Sequence, residues 1–503
     1  MSRQGSVRVF PPLQLLSEGD IVFLKRESLE VLEEPGVRIE HKPALDLLRQ
    51  YDCRVDYEAM RVHIPPSVAE ECLRRCPSTF AIRARDPSND VVMGGNVTYF
   101  KTSSGMQTVD LNTWEPRVAT RRENYEGVTV LDALPNLDML GPYVPYYGFA
   151  RVPPCMAMPE SFAARIRVSS KVPIEGSSHG SEVFQLEMAA AVGTEIMVQI
   201  TASPPLTWHD QAIEALFRVV RAGCPIAVVG GQTFGATAPA TIAGALITNN
   251  AELLAAIVLA QLIRPGTRVL ADDFAFAANM RSGAPAFGDI ATALHQASFN
   301  QLWGSWGLPV YNPSCGYISS KVADFQAGYE KGIQALAAAL SGANLIGLHG
   351  AISAELTAHP VQAILDDDVA GMVKRLLNGV QVTPETTATD LIRLVGPIPG
   401  HYLNTAHTRK WWRHEQYTPV AADRLTYPEW SQSGRRTCLD YARQRMEEIL
   451  ATHNPVRLST SQETEVERIL QEARNYYRRQ GAISTEEDAL YADDLRSSGY
   501  PYR

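Results

Sequence analysis

The stretch from Pro225 to Ala271 reads PIAVVGGQTFGATAPATIAGALITNNAELLAAIVLAQLIRPGTRVLA. A short apolar strand, Pro225–Val229, runs into Gly230, Gly231, Gln232 and Thr233. A long apolar helical pattern follows over 238–266 and stops at Pro265-Gly266. A second strand, Arg268–Ala271, begins at once. Strand, helix and strand in this order make a βαβ unit, whose strands are parallel. Residues 222–251 contain no Asp, Glu, Lys or Arg, but their glycines, Gln232, Thr233, Thr237 and Pro239 read as strand–loop–helix rather than a membrane span.

The same rhythm extends in both directions. Strands are predicted at 137–141, 172–176, 196–200, 308–311 and 344–348, besides the two above. Helical patterns lie between them at 159–170, 181–193, 209–223, 289–307 and 324–343. Several end in glycine just before the next strand, as a helix C-cap does. Seven strands with an unassigned eighth favour an α/β fold of the (β/α)8 TIM-barrel type over an open Rossmann sheet. Neither GxGxxG nor GxxxxGK[ST] occurs.

The expected organisation is an N-terminal α/β cap over 1–124, a barrel over 125–400 and a C-terminal helical extension over 401–503 with weakly ordered last residues. In the cap, 16–36 reads as a helix with a Ser start and a Pro-Gly stop, and 90–120 as β-hairpins turning at Gly94-Gly95 and Asn112-Thr113. Only eleven charged residues fall between Ala222 and Ala354, so that segment is mostly buried. Thirty fall between Thr405 and Arg503, where 464–480 is the clearest amphipathic helix. The face LLAAIVLAQLI suits a barrel wall or a subunit interface equally.

The 503 residues are 45% hydrophobic and 20% charged, which excludes global disorder. A net charge of −9 argues against nucleic acid or an anionic membrane as partner. Seven scattered cysteines fit a reducing cytoplasm, and Cys72 and Cys76 read as ordinary thiols. Neither a signal-peptide h-region nor a transmembrane helix is expected.

In a barrel the chemistry sits at the C-terminal strand ends. There the sequence offers Ser177, Ser178, His179, Thr201, Ser203, Gly230, Gln232, Thr233, Asp272, Asp273, Asn312, Ser314, Tyr317, His349 and Gly350. Hydroxyls, amides and aromatics dominate, and acids and bases are few. Asp272 and Asp273 should point to opposite sides and so form no dyad. His179 and His349 suit metal ligands, bases or structural histidines. No HExxH or Cys/His cluster makes a zinc site, and no lysine is expected at a strand end, which argues against a Schiff-base enzyme. Aromatic residues are abundant nearby: Tyr99, Phe100, Tyr143, Tyr146, Tyr147, Phe149, Phe274, Phe276, Trp303, Trp306 and Tyr317. They suit either packing or a cation box.

The segments Met280–Gly288 (MRSGAPAFG), Ser320–Val322 with Asp324–Lys331 (DFQAGYEK), Ala343–Ile346, the RRENY run at 121–125, TAPATIAGAL after Gly235 and LAQLIRPGT occur in one order. Together they resemble the trimethylamine methyltransferase family over about residues 12–480. His407–Arg409 with Trp411, Trp412 and Arg413 is also similar to that family.

The resemblance implies a TIM barrel that moves a methyl group from a methylated amine to cob(I)alamin, the Co(I) corrinoid of a separate carrier protein, with no cofactor bound permanently. Founding members carry pyrrolysine, at a position that the resemblance puts near Cys315–Ile318. This chain has only standard residues, which implies the branch acting on quaternary amines such as glycine betaine, proline betaine or carnitine. On that reading Tyr99, Phe100 and Tyr317 form the cation cage. His349, Arg281, Gln232 and the backbone of Gly350 orient the substrate or bind its carboxylate, although Arg281 equally suits an ion pair with Asp272 or Asp273. Thr201, Ser203, Gly231 and Thr233 face the corrinoid. No resident metal is expected, and a homo-oligomer is. Two rivals are another barrel enzyme, such as a decarboxylase or a zinc-type methyltransferase, and a non-catalytic betaine-binding protein.

Overall fold

The computed structural model describes residues 5–142, 148–497, 499 and 500. Eight parallel strands close into a barrel: β1 (Val97–Thr102), β2 (Met139–Leu140), β3 (Val172–Glu175), β4 (Met197–Thr201), β5 (Ile226–Val229), β6 (Val269–Asp272), β7 (Val310–Asn312) and β8 (Leu345–His349). Each pairs with the next, and β8 returns to β1 through Leu345↔Tyr99 and Ile346↔Phe100. A helix follows every strand: α1 (Arg121–Ala133), α2 (Ala157–Val168), α3 (Glu182–Val192), α4 (Asp210–Ala222), α5 (Ile242–Ile263), α6 (Ile290–Ser305), α7 (Phe325–Ser341) and α8 (Pro360–Leu377). The TIM-barrel expectation is met.

The eighth strand corrects one reading. Residues 97–102 were expected in a cap hairpin turning at Gly94-Gly95. Instead Val91–Met93 pairs backward with Phe80–Ile82, and the chain then enters the barrel as β1. The six-residue run VTYFKT is rich in β-branched and aromatic residues and is buried on both faces, as a barrel strand must be. The turn near Asn112 does form a hairpin, Thr108–Val109 with Pro116–Arg117.

Strand alternation divides the barrel interior into layers. Tyr99, Met139, Val172, Ile174, Met197, Ala227, Leu270, Tyr311 and Leu345 fill the N-terminal end, and the hairpin of Phe80–Ile82 and Val91–Met93 plugs it from below. The face LLAAIVLAQLI lies in α5, where Leu253 through Ala260 are all buried, packed against the N-terminal helices Glu18–Glu33 and Pro66–Arg75 as well as neighbouring barrel elements. By length and composition α5 could cross a membrane, but most of it is buried within the protein. Gly193 and Gly223 adopt left-handed φ of 77° and 80°, which end α3 and α4 and turn the chain into β4 and β5.

The early helix Glu18–Glu33 starts in a capping box formed by Ser17 and Asp20. Near the C-terminus, Thr460–Arg479 packs on α3 through Phe184, Tyr476 and Tyr477. Within the C-terminal stretch expected to be weakly ordered, Thr485–Ser497 forms a helix. Its Tyr491 is buried, with the hydroxyl donating to Glu160, while Arg121 reaches both Glu160 (3.2 Å) and Asp494 (3.0 Å). A buried aromatic and a shared ion-pair network hold an otherwise polar helix in place. Tyr491→Ala is expected to cost about 3 kcal/mol, read as a lower denaturation midpoint in urea.

Candidate active site

Two residues above Tyr99 on β1, Lys101 points into the barrel. The neighbouring inward positions are Gly141, Gln199, Asp272 and Gly347, so the apolar plug gives way to a polar layer. Gln199 donates to Asp272 Oδ2 at 3.2 Å. Lys101 Nζ lies 5.1 Å from the ring centre of Tyr311. Burial lowers the Lys101 pKa to about 8, with Asp272 opposing that shift and Arg165 adding to it. Burial pushes Asp272 well above the carboxylate range, opposed by Lys101 and Gln199. A lysine therefore does stand near a strand end, against expectation, because the strand carrying it was not recognised.

Above this layer opens a cavity of about 210 Å³, lined by Lys101, Gln199, Thr201, Val229, Tyr311, Ser104, Met106, Phe274, Tyr317 and Glu355. At roughly 30 Å³ per water-sized group it holds a small organic molecule of a handful of heavy atoms. Its upper wall is aromatic. Phe274 meets Tyr317 edge to face at 5.6 Å between ring centres, and Phe276 and Phe287 stand behind at 6.4 and 6.2 Å from Tyr317. Glu355 completes the rim from the turn between Ala351–Ile352 and Thr357–Ala358. Burial raises its pKa, and among the described residues it forms no ion pair. Beside the cavity, sharing Gln199 and Thr201, lies a groove of about 550 Å³. It is lined by Ser177, Ser178, His179, Ser203, His209, Arg218 and Tyr476 among others.

The structure brings Tyr317 and Thr201 to the cavity and Ser203 to the groove. Gly231 has φ +107° and lies close to Pro204, while Thr233 starts a short strand paired with Phe276–Ala277. The other expected site residues lie elsewhere. Tyr99 faces the barrel bottom, where its hydroxyl accepts from Val92 N at 3.0 Å. Phe100, next in the alternation, faces outward among Ala335, Ala338 and Ile346. His349 also faces outward, past an irregularity in β8, 3.4 Å from Asp367 and edge-on to Phe100. The N–H of Gly350 is already donated to Asp366 at 2.8 Å. Gln232 is buried against Glu252, Ala245 and Asn249 of α5. Arg281 is exposed in the loop joining Phe276–Ala278 to Pro285–Ala286 and pairs with neither aspartate.

Asp272 and Asp273 do diverge: Asp273 turns outward to His295 (3.0 Å) and Asn249. Trp303 packs through Asn250, and Phe149 joins the core. Tyr143, Tyr146 and Tyr147 lie outside the described residues. Among the described residues no three His, Cys, Asp or Glu side chains gather as a metal-ligand set. Tyr99→Phe is expected to leave kcat/KM within about twofold and to cost about 1–2 kcal/mol of stability, because Val92 N–H loses its acceptor. Steady-state kinetics and urea unfolding check this.

At the mouth of this TIM barrel, aromatic rings line the same cavity as a carboxylate that has no ion-pair partner among the described residues. The family model for trimethylamine methyltransferase matches residues 2–475, and the chain belongs to that family and is a methyltransferase. It is 30% identical over 461 residues to the glycine betaine methyltransferase of Desulfitobacterium hafniense, covering 89% of this chain and 94% of that one. The trimethylamine methyltransferase of another strain of that species is 28% identical over 473 residues, covering 92% and 94%. Among solved structures, the monomethylamine methyltransferase of Methanosarcina barkeri aligns with a TM-score of 0.47 and 13% identity over 85% of this chain and 87% of that one. Family membership sets aside the decarboxylase and the non-catalytic binding protein.

Proposed function

We propose that this enzyme takes a methyl group from a quaternary amine and passes it, in the cytoplasm, to the Co(I) corrinoid of a separate carrier protein. The observation that carries the reading is the convergence of Phe274, Tyr317 and the Glu355 carboxylate, which has no ion-pair partner among the described residues, at the mouth of the barrel. A quaternary nitrogen holds a fixed positive charge. Aromatic faces attract it by about 0.5–2 kcal/mol per contact, and a nearby carboxylate adds to that attraction. A protonated tertiary amine could use the same groups, but the similarity to a glycine betaine methyltransferase favours the quaternary ion.

The acceptor supplies the electron pair of the new bond to carbon, while the C–N electrons stay on nitrogen and a neutral tertiary amine departs. This chain's residues bind the cation, keep water from it and point one methyl outward. The adjoining groove, with hydroxyls of Ser177, Ser178, Thr201 and Ser203, suits the amide-fringed edge of a corrin ring. The test supplies glycine betaine bearing three CD3 groups, cob(I)alamin and the carrier protein. Dimethylglycine retaining two CD3 groups, formed one for one with CD3-cobalamin, is the expected product by mass spectrometry. Unchanged quaternary amines across a panel of betaines, carnitine and choline would overturn the reading.

A further inference from the structure

Resting on the quaternary-amine reading, we propose that Lys101 binds a carboxylate on the substrate, so that the enzyme takes zwitterionic ammonium carboxylates and discriminates against methylated amines lacking the acid. The cavity is lined by one lysine and one glutamate that come from different levels of the fold. Glu355 and the aromatic rings come from loops above the strands, whereas Lys101 rises from β1 at the floor. A molecule spanning them places its cation at the mouth, where a methyl is within reach of an acceptor outside, and its anion below.

Lys101 is 4% exposed, and no hydrogen bond or ion pair to its Nζ occurs among the described residues. Asp272, which accepts from Gln199, acts electrostatically on Lys101, and the Tyr311 ring lies 5.1 Å from its Nζ; among the described residues the Tyr311 hydroxyl has no hydrogen-bond partner. A buried ammonium with donors turned to a cavity is costly unless something occupies them. The flanking strands keep the space open. A Cβ at Gly141 would stand 3.3 Å from Lys101 Nζ, and one at Gly347 would stand 3.0 Å from the Pro313 backbone. The groups expected to hold a carboxylate, Arg281, His349, Gln232 and Gly350, all lie away from this cavity. Lys101 is the cation that lines it.

Calorimetric titration of the full-length protein with glycine betaine, tetramethylammonium and choline tests this. Wild type is expected to bind glycine betaine at least 30-fold more tightly than tetramethylammonium or choline. Lys101→Met should remove that preference, weakening glycine betaine about 30-fold and tetramethylammonium less than threefold. Lys101→Arg should restore part of it. Equal wild-type affinity for glycine betaine and tetramethylammonium would overturn the role of Lys101 yet leave the quaternary-amine reading standing. That comparison needs no variant, so a misfolded Lys101→Met does not spare the proposal. Failure of every quaternary ammonium to bind would overturn both.

Discussion

Glu355→Gln lowers kcat/KM for a quaternary amine by about two orders of magnitude. Unit charges roughly 5 Å apart at an effective dielectric near 20 attract by about 3 kcal/mol, and each 1.4 kcal/mol is close to tenfold in rate. The substitution keeps shape and removes charge, so the uncharged carbon isostere of choline, 3,3-dimethylbutan-1-ol, should inhibit wild type and variant equally. The pH dependence has a definite sign. Burial raises the Glu355 pKa, and only its carboxylate form attracts the cation. Affinity is therefore full above that raised pKa and is lost as pH falls through it. In Glu355→Gln the acid limb of the kcat/KM profile should flatten. Lys101, with its pKa lowered to about 8, lines the same cavity and faces Asp272, Arg165 and Tyr311; its loss of charge governs the alkaline limb for carboxylate-bearing substrates. An unchanged acid limb in the variant would show that Glu355 does not act on the cation.

Lys331→Met destabilises the protein by about 3–5 kcal/mol. Lys331 and Asp366 form an ion pair at 2.6 Å on the outer wall, with both side chains 1% exposed. Lys331 also donates to Leu348 O at 2.9 Å, and Asp366 accepts from Gly350 N. Removing the lysine leaves a buried carboxylate without its cation. The damage reaches the site, because Leu348 and Gly350 bracket the end of β8, from which the chain runs to Glu355. Urea unfolding should show a lower midpoint, and kcat/KM should fall with it. The double variant Lys331→Met, Asp366→Leu removes both charges and should recover much of the stability. Equal loss in the single and double variants would show that packing, not charge, sets the cost.

The barrel was legible because its middle is repetitive. Short apolar strands of two to five residues, glycine stops and helices of regular period recur from Met139 to His349, and each unit reports its own place. The first strand was not legible. Residues 97–102 follow a Gly94-Gly95 turn that imitates a hairpin, and no helix precedes them to mark a βαβ unit. Misplacing that strand misplaced its side chains. Tyr99 and Phe100 read as aromatics of a cap hairpin, although alternation sends one to the plug and the other to the outer helices, and leaves Lys101 facing the cavity with the inward phase of Tyr99. A signal existed: one charged residue in a six-residue strand-like run, in phase with an aromatic. His349 lies at a strand end as expected, but the irregularity in β8 between Gly347 and His349 alters the side-chain phase and turns it outward. Tyr317 and Thr201 were found because they follow strands that were placed correctly. Glu355 sits six residues past its strand on a turn with left-handed φ at Ser353 and Ala354, where strand periodicity says nothing.

The most direct test of the account is an anaerobic spectrum. The protein, its carrier protein and cob(I)alamin are mixed with glycine betaine or with trimethylamine, and the visible absorption of methylcobalamin is followed. The account predicts methylcobalamin with glycine betaine, a rate that falls steeply in Glu355→Gln, and no transfer from trimethylamine. Methyl transfer from trimethylamine with none from any quaternary amine would contradict it.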